Sequence, residues 1–425
     1  MSISIRATIA HTPGPDRLEL VDDAVLRVDD EGVIQSVEPN SPGPVDVSLD
    51  SDTLLVPGLV DTHIHAPQWP QLGTGLDLPL EQWLFEYTFP LEARYRDVDF
   101  AASVWDHMVP NLLSLGTTTA VYFGSIHRPA TLALAEACVR HGQRAFVGRV
   151  AMDHPDGTPD WYRDSDPTTA VEESTLSINE IRGLGSPLVE PIITPRFVPA
   201  CTDAALAGLG ELAAETDTRV QTHCSESDWE HEYVLDRFGR TDTQTLDSFG
   251  LLRQNTILAH ATHITASDRR RIAERGAGIA HCPLSNAYFA NAVFAANRAL
   301  EETIPVGLGT DVAGSPDPSI ISQCGHAVAA SRILEDGTEP GNPGVPASRI
   351  DSTTAFWMAT RGGAQALGIP AGLLAPGNYF DAVALTSTSP VTKGLDDPHR
   401  RFERVVRTAT PLDISDVWVA GRKVR

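Results

Sequence analysis

The sequence predicts an α/β protein whose main part is a (β/α)8 barrel of the TIM type, with a small β-sandwich subdomain formed by the N- and C-terminal segments. Eight short apolar runs of β-strand character alternate with longer patterns of helical period through the middle of the chain. Both ends of the chain carry alternating β-type segments instead. Histidine or aspartate stands at the end of several of the eight runs, where barrels of this type place their functional side chains.

The two ends of the chain are expected to meet in one β-rich subdomain. Short alternating segments open the chain at residues 3–9, 18–21, 24–28 and 33–37. Near the other end, residues 382–385 follow a Pro-Gly-Asn turn, and residues 416–424 have the pattern of a strand pair. We therefore predict that residues 1–56 and 372–425 form the subdomain and that residues 57–371 form the barrel.

The barrel prediction depends on the number of apolar runs and on what lies between them. The runs are residues 60–65, 117–123, 144–151, 189–197, 219–223, 256–260, 278–281 and 306–311. Apolar residues at helical spacing occupy residues 130–141, 203–216, 267–275 and 320–334. Gly142 and Gly276 stand where C-terminal helix caps belong. Eight strand–helix units of this kind favour a barrel of parallel strands.

The composition excludes several classes of partner. The formal net charge is −24 and the sequence pI is about 4.8, so phosphate backbones and anionic lipids are repelled. The sequence has no run of about 18 apolar residues and no signal-peptide pattern at its start. The five cysteines form no C-x-x-C pair. We expect a cytoplasmic protein that binds neither a nucleic-acid polymer nor a membrane.

The stretch VPGLVDTHIHAPQW, residues 56–69, contains the first pair of candidate metal ligands. His63 and His65 alternate with Thr62 and Ile64, so on a β-strand both imidazoles point to the same face. Two imidazoles about 6–7 Å apart along a strand can reach one metal ion. A lone H-x-H is more often a pair of ordinary half-buried histidines, and the rest of the chain decides between the two interpretations.

Further candidate ligands end later strands. His223, His260 and His281 close the fifth, sixth and seventh runs, and Asp311 closes the eighth within GLGTDVAG. Each alone could be a cap, a satisfied core histidine or a turn residue. Together, His63, His65, His223 and Asp311 offer three nitrogens and one oxygen, a set that suits Zn²⁺ and also accepts Fe²⁺.

Such a site provides a nucleophile at neutral pH. A bound metal can lower the pKa of water from about 15.7 to roughly 7, which corresponds to about 12 kcal/mol of preferential hydroxide stabilisation. Glu226 follows His223 by three residues in the sequence THCSE and can face the same opening. It is the best candidate for the general acid and base.

The chain resembles the amidohydrolase superfamily and, within it, the guanine-deaminase branch. H-x-H alone marks only the superfamily, whereas HAPQ, the DLPLEQWL…YTFP block and TPRF are more specific to that branch. The resemblance covers most of the chain. The matching stretches are PGLVDTHIHAPQW, DLPLEQWLFEYTFPLEARY, GTTTAVYFGSIH, GQRAFVGRVAMD, ITPRF, HCSE, AHCPLSN and GLGTDVAG.

The resemblance implies hydrolytic deamination of guanine to xanthine and ammonia by a metal-activated hydroxide. It implies one zinc per subunit, with Fe²⁺ also acceptable, and a homodimer. The implied metal ligands are His63, His65, His223 and Asp311. The implied catalytic residues are Glu226 as the proton shuttle, His260 beside the metal-bound water, and Asp311. The implied purine contacts are Gln68, Arg196 and Phe197, with His223 and His260 beside them.

Hydrogen-bond polarity supports the purine assignment. Guanine presents a carbonyl acceptor at C6, and a guanidinium such as that of Arg196 can only donate. Adenine presents an amino donor at the same position, so donor would face donor. Gln68 can donate and accept, and Phe197 or Trp69 offers a ring for stacking.

Two related chemistries are excluded by residues that the sequence lacks. Binuclear superfamily members bridge two metals with a carboxylated lysine, but the only lysines here are Lys393 and Lys423. The H-x-E…P-C-x-x-C zinc deaminase pattern is absent because no C-x-x-C occurs. We interpret Cys224 and Cys282 as compact apolar fillers. His263 and His281 have no assigned role.

Two alternatives stay open at the level of sequence. A related aminohydrolase could act on 8-oxoguanine, a pterin or an aminotriazine. A barrel that had lost its catalytic role could serve as a scaffold, but every expected ligand is present in this chain, which favours the enzyme.

Overall fold

The computed structural model describes residues 2–386 and 397–425, and it shows a mixed α/β protein. Lys393 lies outside the described residues. The strands are β1 (Ile3–Gly14), β2 (Arg17–Val28), β3 (Ile34–Pro39), β4 (Val47–Ser48), β5 (Thr53–Pro57), β6 (Leu59–His65), β7 (Thr117–Phe123), β8 (Arg144–Gly148), β9 (Val150–Ala151), β10 (Val189–Pro191), β11 (Thr194–Pro195), β12 (Gln221–Cys224), β13 (Ile257–His260), β14 (Gly278–His281), β15 (Val306–Leu308), β16 (Ala382–Thr386), β17 (Ile414–Val419) and β18 (Arg422–Lys423).

The helices lie mostly between the parallel strands. They are α1 (Leu80–Trp83), α2 (Phe89–Glu92), α3 (Val98–Ser114), α4 (Arg128–His141), α5 (Pro167–Gly183), α6 (Asp203–Thr216), α7 (Asp228–Phe238), α8 (Asp242–Ser248), α9 (Ala266–Arg275), α10 (Pro283–Phe289), α11 (Ala296–Glu301), α12 (Ile320–Asp336), α13 (Ser352–Trp357), α14 (Gly363–Leu367) and α15 (Pro398–Thr408). Short 3-10 or π turns lie at Ala66–Gln71, Leu84–Thr88, Ala93–Arg96, Val198–Ala200, Met358–Gly362 and Pro411–Asp413.

One sheet joins the two ends of the chain, as predicted. Its strand order is β18-β17-β16-β5-β1-β2-β3, and β4 pairs with β1. The antiparallel pairing of β16 with β5, for example Val383 with Val56, brings C-terminal and N-terminal segments together. The predicted separate segments at residues 18–21 and 24–28 form the single strand β2. A bulge opposite residues 7–9 and a left-handed Asp23 (φ 46°) let β2 bend without leaving the sheet.

The eight predicted strand positions form two parallel four-stranded sheets. The first has the order β10-β8-β7-β6 and the second β12-β13-β14-β15. Backbone hydrogen bonds join the sheets at both edges. On one side the Ile193 amide donates to the Arg219 carbonyl at 2.9 Å, and on the other the Asp311 amide donates to the His63 carbonyl at 2.9 Å. The carboxyl ends of strands from both sheets therefore share one end of the molecule.

Two of the eight predicted strands are interrupted. The predicted strand at residues 189–197 appears as β10 and β11, which end at Pro191 and Pro195, two residues that cannot donate to a strand ladder. The predicted strand at residues 144–151 appears as β8 and β9, with a break at Arg149, whose guanidinium pairs with the buried Asp164. Both interruptions lie at the carboxyl ends of the strands, on the side of the molecule where the candidate ligands lie.

The predicted helices are present within one or two residues of their expected bounds. Gly142 (φ 76°) and Gly276 (φ 67°) are left-handed C-terminal caps of α4 and α9, as the sequence pattern indicated. Among the described residues, no helix has both the length and the apolar character needed to cross a membrane.

A buried ion pair anchors the terminal sheet to the parallel strands. Arg144 of β8 donates to both oxygens of Asp381, at 3.1 and 3.3 Å, and the Ala420 amide donates to Asp381 at 2.7 Å. The Asp381→Ala substitution leaves the Arg144 guanidinium buried without its counter-ion. We expect the free energy of unfolding to fall by about 3–5 kcal/mol, measured by chemical denaturation.

The control for this prediction is Asp106→Ala, which breaks an ion pair with Arg140 in which both side chains are about half exposed. Exposed pairs typically contribute up to about 1 kcal/mol. Equal losses in the two variants would contradict the anchoring role of Asp381.

Candidate active site

The candidate site lies at the carboxyl ends of the parallel strands. His63 and His65 are the alternate residues that close β6, and their rings lie 4.9 Å apart. His223 is the next-to-last residue of β12, and His260 ends β13. Asp311 lies three residues beyond the end of β15. Parallel pairing aligns these strand ends, so side chains far apart in the sequence converge.

The four predicted metal ligands are close together. His65 Nε2 lies 3.0 Å from His223 Nε2. The Asp311 Oδ1 atom lies 3.1 Å from His63 Nε2 and 3.5 Å from His65 Nε2. His63 also forms a compact triplet of potential ligand atoms with His223 and His260. The structure therefore brings together every residue of the predicted ligand set.

The histidines are held in the neutral form that metal binding requires. Burial is the largest cause that lowers the pKa of His63, His65 and His223 well below the usual value for histidine. His223 Nδ1 donates to the Arg196 carbonyl at 2.5 Å, which leaves a lone pair on Nε2. A hydrogen bond from the second ring nitrogen to a carbonyl is the arrangement that orients histidine ligands of metals.

The buried nitrogens indicate that the cluster fits a cation. Within residues 2–386 and 397–425, both ring nitrogens of His63 and Nε2 of His260 are buried without a hydrogen-bond partner. Unpaired buried polar atoms are rare in native proteins, and lone pairs that converge in this way can be satisfied by a metal ion. Three imidazoles and one carboxylate match Zn²⁺, and Fe²⁺ accepts the same donors.

Glu226 is held at the edge of this cluster by a tight turn. Ser225, with φ of 50°, turns the chain at the end of β12, and its amide donates to Asp242 at 2.9 Å. The Glu226 amide donates to Glu230 Oε2 at 2.7 Å, and the Thr262 hydroxyl donates to the Glu226 carbonyl at 2.6 Å. The backbone of Glu226 is thereby fixed on both sides.

The Glu226 carboxyl group has the properties of a proton carrier. Its Oε1 atom lies 3.6 Å from His260 Nε2. Burial, followed by the nearby Asp311 carboxylate, raises the pKa of Glu226 well above its usual value. A carboxyl group in such surroundings can hold a proton at neutral pH and release it to a reacting atom.

His260 and Asp311 adopt backbone conformations that are costly for residues with a side chain. Their φ angles are 69° and 48°, in the left-handed region. His260 Nδ1 donates to Asn286 Oδ1 at 2.9 Å, and the Ser285 hydroxyl donates to Asp311 Oδ2 at 2.6 Å. Strained backbone of this kind concentrates at functional sites, where surrounding contacts hold it in place.

A cavity that is partly open to solvent adjoins the cluster, with about 380 Å³ of space free of protein atoms when the open solvent is included. Its polar lining consists of His65, Gln68, Arg196, His223, Glu226 and Asp311. Its other lining residues are Leu80, Trp83, Leu84, Phe197, Phe289 and Gly314. The cavity therefore presents catalytic-type groups and hydrogen-bonding groups to the same small molecule.

Of the predicted purine contacts, Gln68, Arg196, Phe197 and His223 line the cavity, but Trp69 and His260 do not. The Trp69 ring packs instead near that of His107, with 6.4 Å between centroids. Gln68 and Trp69 are neighbours in a 3-10 turn, which rotates successive side chains by about 120°. With Gln68 facing inward, Trp69 faces away, and Trp83 and Phe289 supply the aromatic wall.

Sequence reasoning missed a carboxylate behind the residues that were predicted to contact a purine. Glu92 accepts hydrogen bonds from Arg196 Nη1 at 2.7 Å and Nη2 at 3.1 Å, and from Gln68 Nε2 at 3.0 Å. It lies in the stretch YTFPLEARY, where the family resemblance implied no role for this residue. The sequence signal that could have indicated Glu92 is a glutamate next to apolar residues within a block that is specific to the family.

The residues left without a role have local partners. The His263 ring nitrogen Nε2 lies 2.8 Å from the Ala290 carbonyl, and the buried His281 ring packs near Phe294. Burial raises the pKa of the Cys224 and Cys282 thiols well above the usual value, so both stay protonated. These features support the interpretation of the two cysteines as inert fillers.

Comparison with known proteins reveals relatives along the whole chain. The sequence pattern of the amidohydrolase family matches residues 54–424. A curated relative from Schizosaccharomyces pombe, named a probable guanine deaminase, is 38% identical over 381 residues, which cover 87% of this chain and 71% of the relative. The crystal structure of a guanine deaminase from C. acetobutylicum with guanine in its active site has a TM-score of 0.92, with 29% identity and 100% of both chains covered. An adenosine deaminase from Xanthomonas campestris with bound zinc has a TM-score of 0.84, with 25% identity, and 99% of this chain and 92% of that chain are covered.

Proposed function

The chain belongs to the amidohydrolase family, and we propose that it is a metal-dependent guanine deaminase that converts guanine and water to xanthine and ammonia. The observation that carries the proposal is a single cavity lined by two kinds of group. Imidazoles and carboxylates of the buried cluster line it, and so do Arg196 and Gln68. A bound purine could therefore meet a hydrolytic centre and hydrogen-bond donors at the same time.

The proposed metal ligands are His63, His65, His223 and Asp311. The unpaired ring nitrogens of His63, and the burial that lowers the pKa of all three imidazoles, support this role. When bound, Zn²⁺ or Fe²⁺ would lower the pKa of a coordinated water and so supply a nucleophile near neutral pH. One ion per chain is proposed, because the three groups of potential ligand atoms among the described residues share members and form one cluster.

Glu226 and His260 are the proposed proton-handling residues. As oxygen adds to C2 of guanine, Glu226 takes a proton from the attacking water and delivers it to N3. A second proton, from the hydroxyl now on C2, passes through Glu226 to the 2-amino nitrogen, and the C2–N bond breaks to release ammonia. Loss of that amine leaves a carbonyl at C2, which gives xanthine. Glu226 Oε1 lies 3.6 Å from His260 Nε2, which supports the proposal that both side chains contact the attacking water.

The orientation of the base is assigned to the donors and acceptors of Arg196 and Gln68. Arg196 uses two of its N–H groups on Glu92 and retains others that can donate to the C6 carbonyl. Phe197 offers a ring face against the base, and His223 and His260 bound the reacting edge. Trp83 and Phe289, whose rings lie 5.1 Å apart, close the apolar side.

The same proposal extends to architecture and assembly. The eight parallel strands would close into a (β/α)8 barrel, which the backbone bonds at both sheet edges support. The terminal sheet would form a sandwich-like subdomain, with residues 1–56 and 372–425 on either side of a barrel at residues 57–371. The five free, buried cysteines are consistent with a cytoplasmic enzyme of purine catabolism. The homodimer stays a prediction from the resemblance, which light scattering would test.

The function is tested by an ammonia-release panel with guanine, adenine, cytosine, 8-oxoguanine, a pterin and an aminotriazine. We expect the largest kcat/KM for guanine and no useful turnover of adenine or cytosine, because a buried polar mismatch can reject an analogue by roughly 10⁴-fold or more. A higher kcat/KM for another member of the panel would assign that compound as the substrate instead.

The Arg196→Ala substitution tests recognition of the purine. We expect kcat/KM for guanine to fall by an amount equivalent to about 2–5 kcal/mol, as for loss of a charged hydrogen-bonding partner. Metal content should stay unchanged, because Arg196 contributes only its carbonyl to the orientation of His223. Arg275→Ala is the control, because Arg275 is an exposed arginine that pairs with Asp247. Guanine turnover equal to that of the parent would contradict the role of Arg196.

A further inference from the structure

The carboxylate of Glu92 occupies an unusual position behind the cavity. It is 1% exposed and does not line the cavity, but it contacts two side chains that do. Its Oε2 atom accepts from Arg196, and its Oε1 atom accepts from both Arg196 and Gln68. Glu92 is thus the only described residue whose side chain bonds to both Arg196 and Gln68.

These contacts fix the orientation of the Gln68 amide. A carboxylate can only accept, so the Gln68 atom that faces Glu92 must be the NH₂ group. A backbone amide can only donate, and the Ala313 amide lies 3.1 Å from Gln68 Oε1. Both ends of the amide are therefore specified, and a reversed Gln68 would place donor against donor at Ala313 and acceptor against acceptor at Glu92.

The same carboxylate fixes the plane of the Arg196 guanidinium. The bidentate pair commits one N–H of each terminal nitrogen to Glu92, and the guanidinium carbon lies 4.9 Å from the centre of the Phe89 ring. A bidentate pair restricts rotation as well as position. The N–H groups that remain are held in fixed directions, and Arg196 cannot swing to suit a different ligand.

We propose that Glu92 is a positioning residue that gives the cavity its preference for a ring carbonyl. This inference rests on the proposed function, and it extends that function to a residue that need not touch the substrate. Glu92 locks Arg196 and Gln68 in one pattern of donors, so that a base with a carbonyl at C6 is matched and a base without it is not. Its charge also balances that of Arg196, so the part of the cavity beside Arg196 is suited to a neutral base.

The test compares Glu92→Gln with Glu92→Asp. Glutamine keeps the volume but brings an NH₂ group against the donors of Arg196 or Gln68. Aspartate keeps the charge but is one methylene shorter. The control is Glu86→Gln, because Glu86 is exposed on the same segment of chain. Metal content and the thermal midpoint are measured for every variant.

The probes are hypoxanthine, which has the C6 carbonyl, and unsubstituted purine, which lacks it. Neither carries the 2-amino group, so calorimetric titration reports binding without turnover. We expect the parent to prefer hypoxanthine. In Glu92→Gln the ratio of the two affinities should fall by roughly tenfold or more, because the oriented hydrogen bonds to a charged donor are lost. Glu92→Asp should show a smaller fall, and Glu86→Gln should keep the ratio of the parent.

Kinetics with guanine add a second measurement. Substitution of a residue that positions the bound base should raise KM more than it lowers kcat.

An unchanged affinity ratio in Glu92→Gln, or no preference for hypoxanthine in the parent, would overturn the proposal. If Glu92→Gln does not fold, Glu92→Asp decides, and a ratio equal to that of the parent overturns it. Absence of ammonia release from guanine would overturn the proposed function, and the affinity ratio would still test Glu92.

Discussion

Replacement of Glu226 by glutamine is expected to lower the turnover number for guanine by about 10²- to 10⁴-fold, the usual contribution of a general acid–base group. Glutamine has nearly the same volume and keeps the backbone bonds to Glu230 and Thr262 that hold the turn. It cannot carry the proton between water, N3 and the leaving amine. Because Glu226 is not one of the proposed ligands, metal content should not change. Steady-state kinetics and metal analysis on the same protein sample make this measurement.

Glu232→Gln is the matched control for this prediction, since Glu232 is an exposed glutamate on α7, the helix that follows Glu226. Its turnover number should equal that of the parent. If Glu226→Gln also retained near-normal turnover, the proton-transfer role would pass to another residue. His260 would be the first to examine, because its Nε2 atom lies 3.6 Å from Glu226 and has no hydrogen-bond partner within the described residues.

Removal of the metal is expected to abolish deamination while the fold persists. The four proposed ligands lie at or just beyond the ends of three strands, and backbone pairing holds those strands together without help from an ion. The metal is therefore expected to be catalytic and to contribute only partly to stability. Prolonged treatment with a strong chelator, followed by metal analysis, circular dichroism and ammonia release, makes the measurement.

Restoration of activity by added Zn²⁺ or Fe²⁺ is the control, because it shows that the stripped protein is still folded. Mg²⁺ should restore little, since it prefers oxygen ligands and this cluster is rich in nitrogen. Stripped protein that still released ammonia at the original rate would contradict the proposed mechanism. Unfolding before loss of activity would assign the metal a structural role instead.

The site residues at strand ends could be predicted from the sequence, because side chains alternate along a strand and parallel strands end on the same side of a sheet. Alternation placed His63 and His65 on one face of β6, and parallel pairing brought His223 and Asp311 to the same end of the molecule. The prediction needed only the order and period of the apolar runs. The terminal sheet was predictable for the same reason, since both ends of the chain show alternation.

The contacts behind the site could not be predicted in this way. Glu92 lies 104 positions from Arg196 in the sequence, in a segment of short helical and π turns that has no simple period. Its partner is set by how that segment crosses the cavity, which depends on tertiary packing.

Trp69 is a residue that was predicted to contact the base but lies outside the cavity lining. Its sequence position suggested a stacking ring, but the local turn carried the indole away from the cavity.

The fate of the 2-amino nitrogen of guanine tests the central claim most directly. Guanine labelled with heavy nitrogen at that position is incubated with the metal-loaded protein, and labelled ammonia and xanthine are quantified by mass spectrometry. The proposed function predicts that both products form at equal rates, with all of the label in ammonia. Guanine that remains unchanged, or label that stays in the purine while ammonia is released from another position, would contradict it.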